Sequence, residues 1–269
     1  MGITGNCLGW IKAFLENRTQ FVRVNGIDSS KIFVSSGVPQ GSVIAPTLFI
    51  CYINSLIFQC KFTTCKLFAD DSKIYLRSDI PGNPALIQTD LNNISSWMRE
   101  WQLNLSLSKC TVLHASQESK ITEYTIYSLS LLKSSSVRDL GVFISNNLKP
   151  STHCQKIAAD AMKVSACIFR NFLNKETDFL KHMYLAFVLP KVSYATVVWS
   201  PWLKKDINVI ERVQRSYTSK IPEIKGSYAE RLKLLNLQSL ELRRLCTDLV
   251  EVFKIFYGAT CLQKSKFLK

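Results

Sequence analysis

Long apolar runs, histidines and acidic residues are all scarce in this chain of 269 residues. The longest apolar stretch, near Pro46–Leu56, is interrupted by Thr47, Tyr52 and Asn54 and falls short of the roughly 20 residues a bilayer-spanning helix needs, so no transmembrane helix is expected. The N-terminus has no secretory signal pattern. Asn6 stands where a myristoylation motif after Met1-Gly2 requires Ser or Thr, so lipid anchoring is not expected either. There are only 3 histidines, His114, His153 and His182, each isolated in the sequence. Cys60 and Cys65 are the closest cysteine pair, and no second Cys or His pair stands at zinc-finger spacing, which argues against a structural zinc site. The 9 cysteines are an odd number scattered among apolar neighbours, as at Phe49–Tyr52 and Ala166–Phe169. Such usage fits reduced intracellular thiols and not a disulfide framework.

The shortage of acids leaves 20 Asp and Glu against 34 Lys and Arg, a net charge of +14. The excess is uneven: residues 1–150 carry a net +4 and residues 151–269 a net +10. A basic field of that size attracts a polyanion, most naturally nucleic acid; a merely solvated basic surface is the plainer alternative.

What is present is a mixed pattern in front and a helical one behind. Trp10–Leu15 reads as helix, and Phe21–Asn25, Gly26 and Lys31–Val34 read as two strands joined by a turn. Pro46–Phe58 is an apolar helix or strand. Pro81–Pro84 is a loop, and Ala85–Trp101 repeats apolar residues at helical spacing through Leu86, Leu91, Ile94, Trp97 and Met98. Leu103–His114 tends toward a strand, and Tyr124–Leu132 and Leu140–Ile144 are further short strands. From Ser151 the period becomes helical over Ile157–Phe172, Phe179–Val198, Ile207–Ser219, Tyr228–Leu234 and Leu240–Phe256. A boundary is expected near residue 150, where Asn146, Asn147 and Pro150 punctuate the chain.

Two adjacent carboxylates in LFADDSKIY, residues 67–75, interrupt a strand-like run. Asp is depleted from strands, so the local pattern predicts a hairpin with Asp70 and Asp71 at its bend. Neighbouring carboxylates repel unless a cation neutralises them, which points to a divalent metal, with a solvated turn as the bland alternative. Upstream, SSGVPQGSVIAPTLF, residues 35–49, brackets Pro39 and Gln40 between Gly37 and Gly41. Glycines allow close backbone approach to a ligand, and Gln40 offers a two-sided amide; a packing loop is the alternative.

Together these segments resemble the reverse transcriptase of non-LTR, LINE-type retrotransposons, close to the jockey-like group. The resemblance runs through Gly2-Ile3, Gly5, Trp10-Ile11, Phe14-Leu15, Arg18, Gln20 and Val24-Asn25-Gly26, then Gly37-Val38-Pro39-Gln40-Gly41-Ser42, Tyr52-Ile53-Asn54 and Phe68-Ala69-Asp70-Asp71. It continues in Trp101, Lys109-Cys110, Leu140-Gly141-Val142, Val198-Trp199-Ser200-Pro201, Val213-Gln214-Arg215, Ile221-Pro222 and Arg243-Arg244. It implies an α/β (α+β) polymerase palm fragment with antiparallel strands at residues 1–118, connecting strands like the primer grip at 119–150, and an all-helical, basic, thumb-like region at 151–269. Asp70 and Asp71 would then hold catalytic Mg²⁺, or Mn²⁺ in its place, for two-metal nucleotidyl transfer. Gly37, Pro39, Gln40, Gly41, Phe68 and Ala69 would shape the nucleotide and template pocket, and Lys109 would lie near the triphosphate; a solvated lysine is its plain reading.

The implied partners are an RNA template, a DNA primer and deoxynucleoside triphosphates. Lys156, Lys163, Lys204, Lys205, Arg212 and Arg215 are the phosphate-facing candidates. Trp199 and Trp202 could stack on bases, although core or interface packing suits such Pro-flanked positions better. The implied setting is intracellular, in the nucleus or a cytoplasmic ribonucleoprotein, and no oligomeric state is implied.

The sequence departs from the pattern in ways that matter. The family's first palm motif supplies another metal-binding Asp ahead of the segment that begins here at Gly2-Ile3, so an N-terminally truncated domain is expected. Asp28 is the single Asp before residue 70 and sits in an Asn-Gly-Ile-Asp turn. The expectation is therefore a chain that does not polymerise by itself, and the competing class is a noncatalytic nucleic-acid-binding remnant. A maturase-like or telomerase-like polymerase fits less well with the C-terminal Val-Trp-Ser-Pro and Val-Gln-Arg pattern. Ala45, Ser55 and Ser106 stand where the family usually has Gly, Asp and Asn. No endonuclease-like acidic cluster or zinc knuckle is visible.

Overall fold

Chain reversals at residues with left-handed backbone set the layout of this protein. The computed structural model describes residues 2–115, 122–262 and 264–266. They fall into two units, Met1–Cys110 with Thr122–Leu131, and Thr111–Ile121 with Leu132–Lys269.

The first unit opens with α1 (Gly5–Leu15), β1 (Arg18–Gln20), β2 (Arg23–Val24), β3 (Ile27–Asp28) and β4 (Ile32–Val34). Asn25 and Gly26, with φ of 50° and 81°, make the two-residue turn that joins β2 to β3. Outside it, Gln20 pairs with Ile32 as β1 and β4 run antiparallel. The expected pair of strands around Gly26 is therefore corrected to two nested hairpins, and Phe21 and Val22 lie between strands. The undecided stretch Pro46–Phe58 is helical: α2 (Ala45–Ile53) takes Pro46 in its first turn, where a missing N–H costs nothing, and a 3₁₀ turn over Asn54–Gln59 continues it.

A hairpin of β5 (Thr64–Phe68) and β6 (Asp71–Tyr75) follows, then α3 (Asn83–Glu100). Ile94, Trp97 and Met98 of α3 bury against Ile53 and Leu56, the apolar side foreseen from their spacing. Trp97 and Trp101 stack with ring centroids 5.3 Å apart. Next, β7 (Thr111–Leu113) belongs to the second unit, while β8 (Thr125–Ile126) and β9 (Leu129–Ser130) belong to the first. The Gln88 side chain of α3 donates to the Thr125 carbonyl (2.8 Å) and accepts from its N–H (2.9 Å), tying β8 to the helix.

In the second unit β10 (Leu132–Ser134) pairs parallel with β7, and β11 (Ser136–Asp139) pairs antiparallel with β12 (Val142–Ser145). Leu140 and Gly141, with φ of 45° and 89°, form the β11–β12 turn, so the strand expected at Leu140–Ile144 starts two residues later, and β11 is an addition. Among the described residues all six sheets are two-stranded, five antiparallel and one parallel.

Helices then dominate: α4 (Ser151–Asn171), α5 (Thr177–Met183), a π-helical turn at Tyr184–Val188, α6 (Leu189–Ser193), α7 (Thr196–Trp199), α8 (Lys204–Thr218), α9 (Tyr228–Leu235) and α10 (Leu240–Phe256). The single helix expected over Phe179–Val198 is divided. Pro190 has no N–H and its ring would collide with the carbonyl four residues back, which the wider π turn accommodates. Ala195, at φ 51°, then redirects the chain into α7.

Leu180, Tyr184, Val188, Val192, Ile210, Val213 and Tyr217 fill the core of this unit. Trp199 is buried with them, as its packing role required, while Trp202 is exposed. Buried Glu211 accepts from the first-turn N–H groups of Leu240 (3.2 Å) and Glu241 (3.1 Å) and from the Tyr228 hydroxyl, so it caps α10 from α8. No helix among the described residues is long and apolar enough to cross a membrane.

Candidate active site

The aspartate hairpin forms as its sequence demands. Cys65 pairs with Ile74 on the inward side, where Leu67 and Ile74 pack against the first unit's core, while Lys66 faces Lys73 and Phe68 faces Asp71 on exposed positions. The turn consists of Ala69, at φ 50°, and Asp70; Asp71 is the first residue of β6. Both carboxylates are exposed. Opposing lysines repel, so the outward face of this hairpin carries unbalanced positive charge beside Asp71. Simple alternation along residues 64–75 would have located that pair, which sequence reasoning missed.

The hairpin is anchored at its foot by Asp90 of α3, also missed. This fully buried carboxylate accepts from the N–H groups of Lys61 (3.0 Å), Phe62 (2.9 Å) and Thr63 (2.8 Å) and from the Thr63 hydroxyl (2.8 Å). Burial raises its pKa, but the bonds from the Thr63 hydroxyl and the three N–H groups outweigh that and hold it below the usual carboxylate value. The nine cysteines are free thiols. Burial, reinforced by Cys60, pushes the Cys65 thiol up to about 12, so it stays protonated.

Gly37 and Gly41 have φ of 78° and 80°, and no atom lies within 4 Å of where a Cβ would stand on either. Their role is thus conformational and not a matter of tight packing. Arg18 holds the loop: Nε donates to the Leu15 carbonyl (2.8 Å) at the end of α1, and Nη2 donates to the carbonyls of Gly37 (2.6 Å) and Ser36 (3.3 Å). The Ser42 hydroxyl donates to the Pro39 carbonyl (3.0 Å). Gln40 is exposed and Pro39 half-buried. Lys109 ends a 3₁₀ turn, Leu107–Lys109, and its side chain is exposed.

Asp28 is engaged elsewhere. Arg23 grips it with two bonds, Nε to Oδ1 at 2.5 Å and Nη2 to Oδ2 at 2.8 Å, which lowers its pKa. Among the described residues no group of three His, Cys, Asp or Glu could hold a metal ion. Asp70 and Asp71 are hard oxygen donors of the kind Mg²⁺ takes, one or two at a time, alongside water and phosphate oxygens.

The basic candidates of the second unit are all exposed but differ in their engagements. Lys156 lies 3.7 Å from the centre of the Phe143 ring, Lys163 pairs with Asp160 at 3.1 Å, and Arg215 covers the Tyr228 ring at 4.9 Å. On α8, Lys204, Lys205, Arg212 and Arg215 face solvent while its acids, Asp206 and Glu211, are buried. Its outer side is thus uniformly cationic.

Residues 1–144 match the family model described as reverse transcriptase (RNA-dependent DNA polymerase). The chain is 25% identical over 218 residues to an RNA-directed DNA polymerase from the mobile element jockey of Drosophila melanogaster, covering 76% of this chain and 24% of that protein. It is 26% identical over 223 residues to a probable RNA-directed DNA polymerase from transposon X-element of the same species, covering 77% and 24%, and 26% identical over 226 residues to the jockey polymerase of Drosophila funebris, covering 78% and 24%. No solved structure matches. The chain spans about a quarter of the length of the curated relatives it matches. With the family model covering more than half of its residues, and with the Gly37–Ser42 loop and the Phe68–Asp71 hairpin inside the matched span, the chain belongs to the reverse transcriptase (RNA-dependent DNA polymerase) family, in the company of jockey-like non-LTR elements.

Proposed function

We propose that this chain is the palm and thumb-like part of a jockey-like RNA-directed DNA polymerase, handling an RNA template, a DNA primer and deoxynucleoside triphosphates inside the cell, in the nucleus or a cytoplasmic ribonucleoprotein. The reading rests on the exposed Asp70-Asp71 pair at the tip of a core-anchored hairpin. Asp70 and Asp71 would hold Mg²⁺ or Mn²⁺; such a cation, when bound, neutralises triphosphate charge and lowers the pKa of a hydroxyl. Lys66 and Lys73 add positive charge beside Asp71, where phosphates would arrive, and Lys109 is the further candidate for the triphosphate. Gly37, Pro39, Gln40 and Gly41, with Phe68 and Ala69, form the surface we assign to nucleotide and template. The helical region after Ser151 would track the duplex backbone through Lys156, Lys163, Lys204, Lys205, Arg212 and Arg215, of which the α8 set is the least engaged with acids.

A specific observation favours a second reading. Asp28 is committed to Arg23, and no third acidic ligand joins Asp70 and Asp71 among the described residues. By itself the chain would then bind template–primer without extending it. Primer extension on an RNA template separates the readings, using the chain, its Asp70→Ala variant, and the chain lengthened at its N-terminus by the adjoining segment of the jockey relative. Extension by the lengthened protein alone supports the polymerase reading with this chain incomplete. Extension by the unlengthened chain, abolished by Asp70→Ala, would refute the proposed inactivity, and salt-sensitive hybrid binding with no extension by any form supports the remnant. Absence of hybrid binding would sink both.

A further inference from the structure

α10 is built inside out. Projected at 100° per residue, Leu240, Arg244, Asp248, Glu251 and Ile255 form the side turned to the rest of the second unit, with Leu240, Arg244 and Ile255 buried and the two acids half-buried. The opposite side carries Leu242, Leu245, Leu249, Phe253 and Phe256, which are 46, 53, 59, 60 and 50% exposed. Cys246, Val250 and Tyr257 complete that arc, and no charged residue falls within it. The inward side gains little from its position: both terminal nitrogens of Arg244 and one oxygen of Asp248 are buried without a hydrogen-bond partner among the described residues. A helix that points its charges inward and its leucines outward has a cover that a lone chain does not supply.

We propose that this cover is a second copy of the chain, the two α10 helices packing antiparallel about a twofold axis at Leu249. The pattern is self-complementary in that arrangement. Counting outward from Leu249, Leu242 exchanges with Phe256, Leu245 with Phe253, and Cys246 with Val252, so every apolar side chain meets an apolar one. A twofold interface requires this self-matching of one patch, whereas an unrelated partner would not impose it. The exposed apolar area of the arc is roughly 700–900 Å², on the scale of the ~800 Å² per partner of a specific interface. The spacing of three and four residues from Leu242 to Phe256 is that of two packed helices.

Sedimentation equilibrium of the 269-residue chain tests this, with Leu249→Glu and Leu249→Lys as variants. The expected result is a species of twice the 30.6 kDa chain mass, weakened about 100-fold or more by either substitution, which places like charges face to face on the axis. Residue 249 is exposed in the single chain, so far-UV circular dichroism should be unchanged in both variants. Mixing the two should restore a dimer through opposite charges. A wild-type monomer up to about 100 μM would overturn the proposal and leave the face to another segment or protein. So would a dimer indifferent to Leu249→Glu, and a mixture that fails to associate would overturn the axis at Leu249.

Discussion

Replacing Asp90 tests whether the aspartate hairpin is held from below. Four donors converge on this carboxylate, but Lys61 and Phe62 are exposed, so water can take over their N–H groups. Thr63 is buried, and its N–H and hydroxyl would be left without an acceptor at about 1–3 kcal/mol each. Asp90→Ala should therefore destabilise the first unit by about 3 kcal/mol, a large share of the ~5–15 kcal/mol that holds a domain together. Asp90→Asn should cost about 1–2 kcal/mol less, because its single oxygen can keep the Thr63 bonds while its amide nitrogen confronts another donor.

The pH dependence follows from the lowered pKa. The contribution of Asp90 is complete above the unfolded value of about 3.9 and is lost as pH falls through the lower folded value. Urea unfolding followed by fluorescence of Trp97 and Trp101, with hydrogen exchange at residues 61–63, reads both effects. The gap between wild type and Asp90→Asn should be constant from pH 7 to about 4.5 and close below about 3.9. Equal stabilities within ~0.5 kcal/mol at pH 7, or unaltered exchange at Thr63, would refute the account.

Other consequences are equally open to measurement. Gly141 sits at φ 89° with the Tyr194 ring 3.2 Å from where a Cβ would stand, so Gly141→Ala should lower the thermal midpoint of the second unit, by about 1–3 kcal/mol in stability. Buried His153 accepts from the Phe143 N–H (3.2 Å), and burial lowers its pKa to about 4. Its neutral form is the folded one, so stability should be full above about 6.5 and fall by up to ~3 kcal/mol as pH drops toward 4, a slope that His153→Gln should flatten in acid titrations of unfolding. Glu211→Gln should loosen the start of α10 by about 1–2 kcal/mol, seen as faster hydrogen exchange at Leu240 and Glu241. Replacing Lys204, Lys205 and Arg212 with Gln should flatten the salt dependence of hybrid binding, each contact removed reducing the log–log slope by about 1.

Features encoded by neighbouring residues were legible in the sequence. Phe68-Ala69-Asp70-Asp71 declares a bend between two strand-like flanks, and the spacing through Ile94, Trp97 and Met98 marks the buried side of α3. Features made by distant partners were not. Asp90 bonds to backbone N–H groups 27 to 29 residues away, and nothing in the identity of Lys61, Phe62 or Thr63 signals that they donate. Arg18 reaches across 19 residues to a glycine carbonyl that any residue could offer. The β10–β7 pairing is parallel and joins strands too short to show alternation. In α10 the period found the apolar face correctly, yet period does not say what covers a face, and here it is the charged side that turns inward.

The π turn at Tyr184–Val188 works as a register counter within the second unit. Leu180, Tyr184, Val188 and Val192 are spaced by four and all are buried, a repeat that drifts round an α-helix but stays in line where the helix widens. Deleting one residue inside that turn would let the segment close into ordinary α-helix while rotating everything after it by about 100°. Val192 would leave the core and Lys191 or Ser193 would approach it. Length variation among related elements should therefore avoid these five positions and gather in loops such as Phe172–Glu176, where an added residue alters no helical phase.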